Sequence, residues 1–181
     1  GHYFVVSVHR EENVDNPENL KRILLILNRM AEDYKIPIIV STHPRTRKRL
    51  EASDNSKMNS LIQFLKPFGF TDYVNLQMNA LCTVSDSGTI SEESAMMDFP
   101  AISLRNSMER PEAQDAGIII LTGFEINAVL DSVGIVIHEN KYLRQRQIPV
   151  DYQVPDSSWR VLKLVQGLAK LSNAWHGIDR N

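Results

Sequence analysis

The run Val84-Ser85-Asp86-Ser87-Gly88-Thr89-Ile90-Ser91-Glu92-Glu93 places hydroxyl residues, a glycine and carboxylates between an apolar stretch and a helical one. Residues of those types in that order can bind an anion. A helix opening at Gly88 or Thr89 turns its first backbone N–H groups toward the turn, with the positive end of the helix dipole behind them. Ser87 adds a hydroxyl, and Gly88 lets a phosphate approach the backbone with no Cβ in the way. Glu93 falls about one turn into the helix, where its carboxylate can accept from the hydroxyls of a ribose. A phosphate at the tip and a diol acceptor one turn down suit a nucleotide. Asp and Ser are also the ordinary caps of helices, so the segment alone reads as well as a plain helix start.

The elements around it decide between the two. Strand and helix signals alternate, beginning with a strand from Tyr3 to Val8 and a polar loop through His9-Arg10-Glu11-Glu12-Asn13. Pro17 to Asp33 is a helix, with Asn16 as cap, Pro17 at its first position and Leu20, Ile23, Leu24, Leu27 and Met30 at helical spacing. Ile36 to Ser41 is a strand, Arg45 to Ala52 a basic helix, Leu61 to Leu65 a strand and Asp72 to Asn79 a short helix. Leu81 to Ser85 is the buried strand feeding the turn, and Gly88 to Met97 is its helix. Strands from Pro100 to Leu104 and Gly117 to Leu121 follow, then a helix from Glu125 to Ser132 that can extend to Val136. Residues 139–157 are polar with two prolines and read as a linker or strap, before a long amphipathic helix from Ser158 to Ala174.

Continuous apolar strands alternating with helices predict an α/β, Rossmann-like parallel sheet covered on both faces. Ligands of such sheets bind beyond the carboxyl ends of the strands. Five post-strand loops carry the polar and aromatic residues: His9 and Arg10, His43, Phe68 to Tyr73, Ser87 and Gly88, and Glu109 and Arg110. That convergence outweighs the plain helix start.

At 181 residues the chain fits one domain with a full core, and a net charge of −2 argues against a nucleic-acid or membrane-surface protein. Arg45, Arg47, Lys48 and Arg49 read as the solvated face of a short helix. The single cysteine, Cys82, lies in an apolar run and reads as a buried thiol in a reducing, cytoplasmic compartment. No apolar stretch approaches the roughly 18 residues that cross a bilayer. The histidines are scattered without carboxylates at ligand spacing, so no metal is expected; no nicotinamide fingerprint or other cofactor motif stands out. His2, His138 and His176 read as surface residues. The chain enters a strand almost at once from Gly1, with no initiating Met or signal peptide, and reads as a piece of a longer protein.

Four of these segments resemble the signatures of the non-hydrolysing UDP-N-acetylglucosamine 2-epimerases. His9-Arg10-Glu11-Glu12-Asn13 resembles the family's His-Arg-(Arg)-Glu-Asn, and Asp86 to Glu93 its Asp-Ser-Gly-Gly-x-x-Glu-Glu. Met108-Glu109-Arg110-Pro111-Glu112 resembles its Thr-Glu-Arg-Pro-Glu, and His43-Pro44 its His-Pro pair. The resemblance runs to about residue 125 and implies the C-terminal half of a two-domain, glycosyltransferase-B-like fold. Residues 1–181 would be one nucleotide-sugar-binding domain, with 158–176 a helix packing back toward the missing N-terminal domain. Glu11 stands where many members have Arg, and Thr89 where they have the second Gly. Both variants look like the branch that makes capsule or O-antigen precursors such as UDP-N-acetyl-L-fucosamine.

The resemblance implies inversion of C2 in a UDP-2-acetamido sugar. Because that proton is not next to a carbonyl, UDP is eliminated to leave a glycal and then added back. Such chemistry needs a base and acid near C2 and groups that hold the departing diphosphate. Ser87, Gly88 and Thr89 would bind the diphosphate through the helix N-terminus, with Arg110 offering a forked donor. Without the resemblance, Arg110 would read as a surface residue paired with Glu109 or Glu112. Glu93 would take the ribose, Phe68 and Tyr73 the uracil, and His9 would sit by the diphosphate or glycosidic oxygen as a proton donor. Arg10 and His43 complete the implied UDP-binding set. The catalytic carboxylates would belong to the missing domain, so this chain alone would be inactive, and the parent protein would be a homodimer. Three rivals stand beside this reading: the nucleotide-binding half of a glycosyltransferase, a non-catalytic nucleotide-sugar-binding module, and a hydrolysing epimerase.

Overall fold

Among the described residues of the computed structural model (1–51, 58–108, 110–143 and 147–177), six strands form one parallel sheet. They are Phe4–Ser7 (β1), Ile38–Ser41 (β2), Ile62–Leu65 (β3), Cys82–Ser85 (β4), Ala101–Ser103 (β5) and Ile120–Leu121 (β6). Their order is β3-β2-β1-β4-β5-β6, with Ser7 in register with Ser41 on one side and Ser85 on the other. The strand order therefore reverses between β1 and β4, and the carboxyl ends of those two strands open a crevice. The helices are Glu11–Val14 (α1), Pro17–Tyr34 (α2), Pro44–Glu51 (α3), Phe70–Asn79 (α4), Ile90–Met97 (α5), Glu112–Asp115 (α6), Ile126–Tyr142 (α7), Ser157–Leu168 (α8) and Ser172–Trp175 (α9).

Strand residues of one parity, Phe4, Val6, Ile38, Val40, Cys82, Val84 and Ile102, share a core with α2 and α7. Those of the other parity, including Val5, Thr83, Ala101 and Ser103, are buried as well, so both faces of the sheet are covered. α2 shows how sequence sets an element. The Asn16 side chain accepts from the N–H groups of Glu18 and Asn19 at 2.9 and 3.3 Å, Pro17 opens the helix, and Lys35 closes it in the left-handed region at φ 54°. Between these stops, Leu20, Ile23, Ile26, Leu27, Met30 and Ala31 form the buried stripe, and Leu24 is half-buried at its margin.

Several boundaries differ from those read in the sequence. The polar loop after β1 contains a single helical turn, α1, and α6 is a second short turn with no apolar periodicity to announce it. α5 begins at Ile90 rather than Gly88, because residues 88 and 89 are spent in the turn. α4 begins two residues early, at Phe70, since extended Gly69 serves as its N-cap. β6 is shorter than the apolar run from Gly117, whose φ of 70° is not that of a strand. α7 continues through Gly134 to Tyr142, held by buried Val129, Val133 and Val136, and so takes in the start of the expected 139–157 strap. The helix expected from Ser158 to Ala174 is two pieces, α8 and α9, parted just after the poor helix former Gly167. Ala52, the former end of the basic helix, and Glu109 lie outside the described residues. The chain divides into two compact units, Gly1–Pro149 and Val150–Asn181, and every candidate site residue lies in the first.

Candidate functional site

The site begins with Asp86, the residue immediately after β4, whose side chain has no solvent exposure. Its N–H donates to the Ser7 carbonyl at 3.2 Å, extending the β1–β4 ladder by one step. Its carboxylate then gathers the loop after β1. Oδ2 accepts from the backbone N–H groups of His9 (3.2 Å) and Arg10 (3.0 Å) and from Asn13 Nδ2 (2.8 Å). Oδ1 accepts from His9 N–H at 3.1 Å and lies 3.4 Å from the imidazole Nδ1. A buried carboxylate with this many donors is satisfied, and it ties the two loops of the strand-order reversal together. His9 remains 44% exposed and lines a cleft of ≈ 810 Å³ with Arg10, Glu11, Glu12 and His43.

On the other side of the crevice, the turn from β4 into α5 is braced by its own hydroxyls. Ser87 N–H donates to Ser85 Oγ (3.0 Å), Thr89 N–H donates to Ser87 Oγ (3.3 Å), and the two hydroxyls of Ser87 and Thr89 are 3.0 Å apart. Thr89 Oγ1 donates to Glu93 Oε1 at 2.7 Å, and Nε2 of buried Gln77, on α4, donates to Glu93 Oε2 at 2.9 Å. The structure thus joins Ser87, Thr89 and Glu93 into one chain of bonds. The backbone N–H groups of Ser87 and Thr89 are already taken by side chains, which leaves anion binding by the main chain to Gly88 and the opening of α5.

Gly88 matters for its missing side chain. A Cβ there would stand 3.1 Å from Arg110 Nη2 and 3.7 Å from Arg105 Nη1, so two guanidinium groups converge on the turn. Arg110 is paired with Glu92 at 2.5 Å, not with Glu112 as the sequence alone would have it, and Glu109 is outside the described residues. Arg10 pairs with Glu12 at 2.9 Å. Burial, reinforced by Glu93 and Asp86 and opposed by the nearby Ser7 side chain, pushes the phenol of Tyr73, on α4, up to about 12. Tyr73 is therefore a neutral hydroxyl group between the two halves of the crevice. Phe68 is half-buried in the loop before α4, and no described hydrogen bond or ion pair links it to this cluster.

Sequence reading missed four members of the cluster: Asp86 as a loop organiser, Gln77, Glu92 and Arg105. Asp86 and Arg105 carried a signal, as charges at the carboxyl ends of buried strands, whereas Gln77 and Glu92 carried none of their own. Among the described residues no group of three or more His, Cys, Asp or Glu is placed to hold a metal ion, and no helix is long and apolar enough to cross a membrane. A second concavity, lined by Gly117, Ile120, Leu130, Asp131, Ile135, His138 and Glu139, lies at the β6 edge.

The chain has close relatives. The family model described as UDP-N-acetylglucosamine 2-epimerase matches residues 1–166. A UDP-N-acetylglucosamine 2-epimerase of Methanocaldococcus jannaschii is 37% identical over 142 residues, covering 77% of this chain and 39% of that protein. The structure of UDP-N-acetylglucosamine 2-epimerase from Rickettsia bellii superposes with a TM-score of 0.80 at 39% identity, covering 95% of this chain and 46% of that one. The M. jannaschii enzyme in complex with UDP-GlcNAc and UDP also gives 0.80, at 34% identity over 91% of this chain and 45% of that one. The chain thus spans less than half the length of these relatives.

Proposed function

The chain belongs to the UDP-N-acetylglucosamine 2-epimerase family, and from that premise we propose that it is the UDP-binding, C-terminal half of an isomerase that inverts C2 of a UDP-2-acetamido sugar. The observation that carries the reading is the convergence at one crevice of the Ser87-Gly88-Thr89 turn, two guanidinium groups and the Glu93 carboxylate one turn further on. The diphosphate lies over Gly88, where the opening of α5 and Arg110 meet it, and competes with Glu92 for the Arg110 fork. Glu93, steadied by Thr89 and Gln77, keeps lone pairs for the ribose hydroxyls. Phe68 and Tyr73 flank the base, Arg10 and His43 line the approach, and His9 stands beside the leaving diphosphate.

In the reaction, the C2 proton passes to a base while the C1–O bond breaks toward UDP, leaving a glycal. UDP then re-adds at C1 as a proton reaches the opposite face of C2. This half holds and neutralises the leaving group. The base and acid at C2 come from a further domain, so the 181 residues act as one nucleotide-sugar-binding half of a larger, homodimeric protein. Glu11 and Thr89 support a substrate in the 6-deoxy-L branch, a cytoplasmic precursor of capsule or O-antigen polysaccharide. The full-length gene product should be incubated with UDP-N-acetylglucosamine and, separately, with its 6-deoxy-L counterpart, following the anomeric protons by NMR. Interconversion of C2 epimers without any acceptor is expected, fastest with the 6-deoxy-L sugar. Turnover only when an acceptor is added would give the site to a glycosyltransferase instead.

A further inference from the structure

We propose that Asp86 is a positioning residue for His9: it fixes the imidazole with its proton on Nδ1 and its Nε2 turned to the cleft. The proposal rests on the reading of His9 as the group beside the leaving diphosphate. Three of the groups facing Asp86 are the N–H groups of His9, Arg10 and Asn13, which can only donate, so its oxygens act as acceptors. Oδ2 is filled by all three, while Oδ1 takes only the His9 N–H and keeps a lone pair for Nδ1, 3.4 Å away. A ring nitrogen facing an acceptor carries the proton, and the other nitrogen is then free to exchange one with a ligand. Such contacts are commonly long without substrate and tighten in the complex. The same carboxylate pins the backbone of His9 and Arg10, so ring and loop are set by one buried group at the β1–β4 reversal.

A staple for the loop alone would hold the backbone and leave the tautomer to solvent, and this separates the two roles. An Asp86→Asn side chain must put its oxygen at the Oδ2 position, where three donors converge. Its NH₂ then faces His9 Nδ1 and drives the ring to the Nε2–H form, as an amide does in a serine-protease triad. Asn13→Ala removes one bond to the same carboxylate and leaves the His9 contact in place.

The test is long-range ¹H–¹⁵N NMR of the imidazoles in the 181-residue chain, at a pH where the ring is neutral, with His9→Gln to assign the signal. The expected result is Nδ1–H in the unsubstituted chain and in Asn13→Ala, and Nε2–H in Asp86→Asn. Nε2–H in the unsubstituted chain would overturn the proposal, and that spectrum decides even if Asp86→Asn fails to fold. Nδ1–H retained in a folded Asp86→Asn would overturn it equally. UDP titrated into the same samples separates this from the functional reading. An Nδ1–H ring in a chain that ignores UDP supports the dyad and sinks the nucleotide site, and an Nε2–H ring in a chain that binds UDP does the reverse.

Discussion

Glu93 is held from two sides before any ligand arrives, by Thr89 at 2.7 Å and by Gln77 at 2.9 Å. A carboxylate fixed this way loses little freedom when it accepts from a diol, which is the sense in which the site is preorganised. Tyr73 offers a prediction at the same scale. Its phenol is raised from 10.0 to about 12, chiefly by burial. Unfolded chains therefore lose this proton at lower pH than folded ones. The stabilisation is fully present below pH 10 and is lost as pH rises from there toward 12. Thermal melts between pH 8 and 11 should show the unsubstituted chain losing stability more steeply than Tyr73→Phe. Parallel curves would contradict the buried placement. Tyr3 and Tyr34 are also raised by burial, so the variant still declines, only less. Ser87, Gly88 and Glu93 stand out in the sequence because they share one short motif, and Arg110 stands out only through the family resemblance. Gln77 and Glu92 do not, since their meaning comes from a partner that only the fold brings near, and that partner replaced the local one in the case of Arg110 and Glu92.

At the scale of elements, the turn between β4 and α5 does the positioning. The apolar run and the Ser/Gly cluster announced both strand and helix, but not that two residues would be used for the turn. Local bonds from the Ser87 and Thr89 N–H groups to the hydroxyls of Ser85 and Ser87 hold that turn in place of a helix start. α7 runs past its sequence signal for a different reason: Gly134 weakens the helical signal, and tertiary burial of Val129, Val133 and Val136 overrides it. Gly88→Ala tests the turn. Its backbone does not need the left-handed region, and the new methyl would press on the mobile end of Arg110 at 3.1 Å. The variant should melt within a few degrees of the unsubstituted chain yet bind UDP about tenfold or more weakly, a loss of roughly 1.4 kcal/mol. Equal UDP affinity would mean that the phosphate does not approach the backbone there.

For the molecule as a whole, the parallel pairing and the covered faces followed from alternating apolar strands and helices, while the 3-2-1-4-5-6 strand order comes from the structure. The crevice at the β1–β4 reversal then followed from the order alone. The division into Gly1–Pro149 and Val150–Asn181 falls within the polar, two-proline stretch 139–157 that reads as a linker or strap. All residues that converge on the crevice belong to the first unit, so UDP binding should need nothing beyond these 181 residues. Calorimetric titration of the 181-residue chain with UDP, beside a folded Ser87→Ala/Glu93→Ala double variant, tests this most directly. Saturable binding by the unsubstituted chain is expected, weakened at least about tenfold in the double variant; no binding by the folded unsubstituted chain, or equal affinity in the double variant, would place the nucleotide elsewhere.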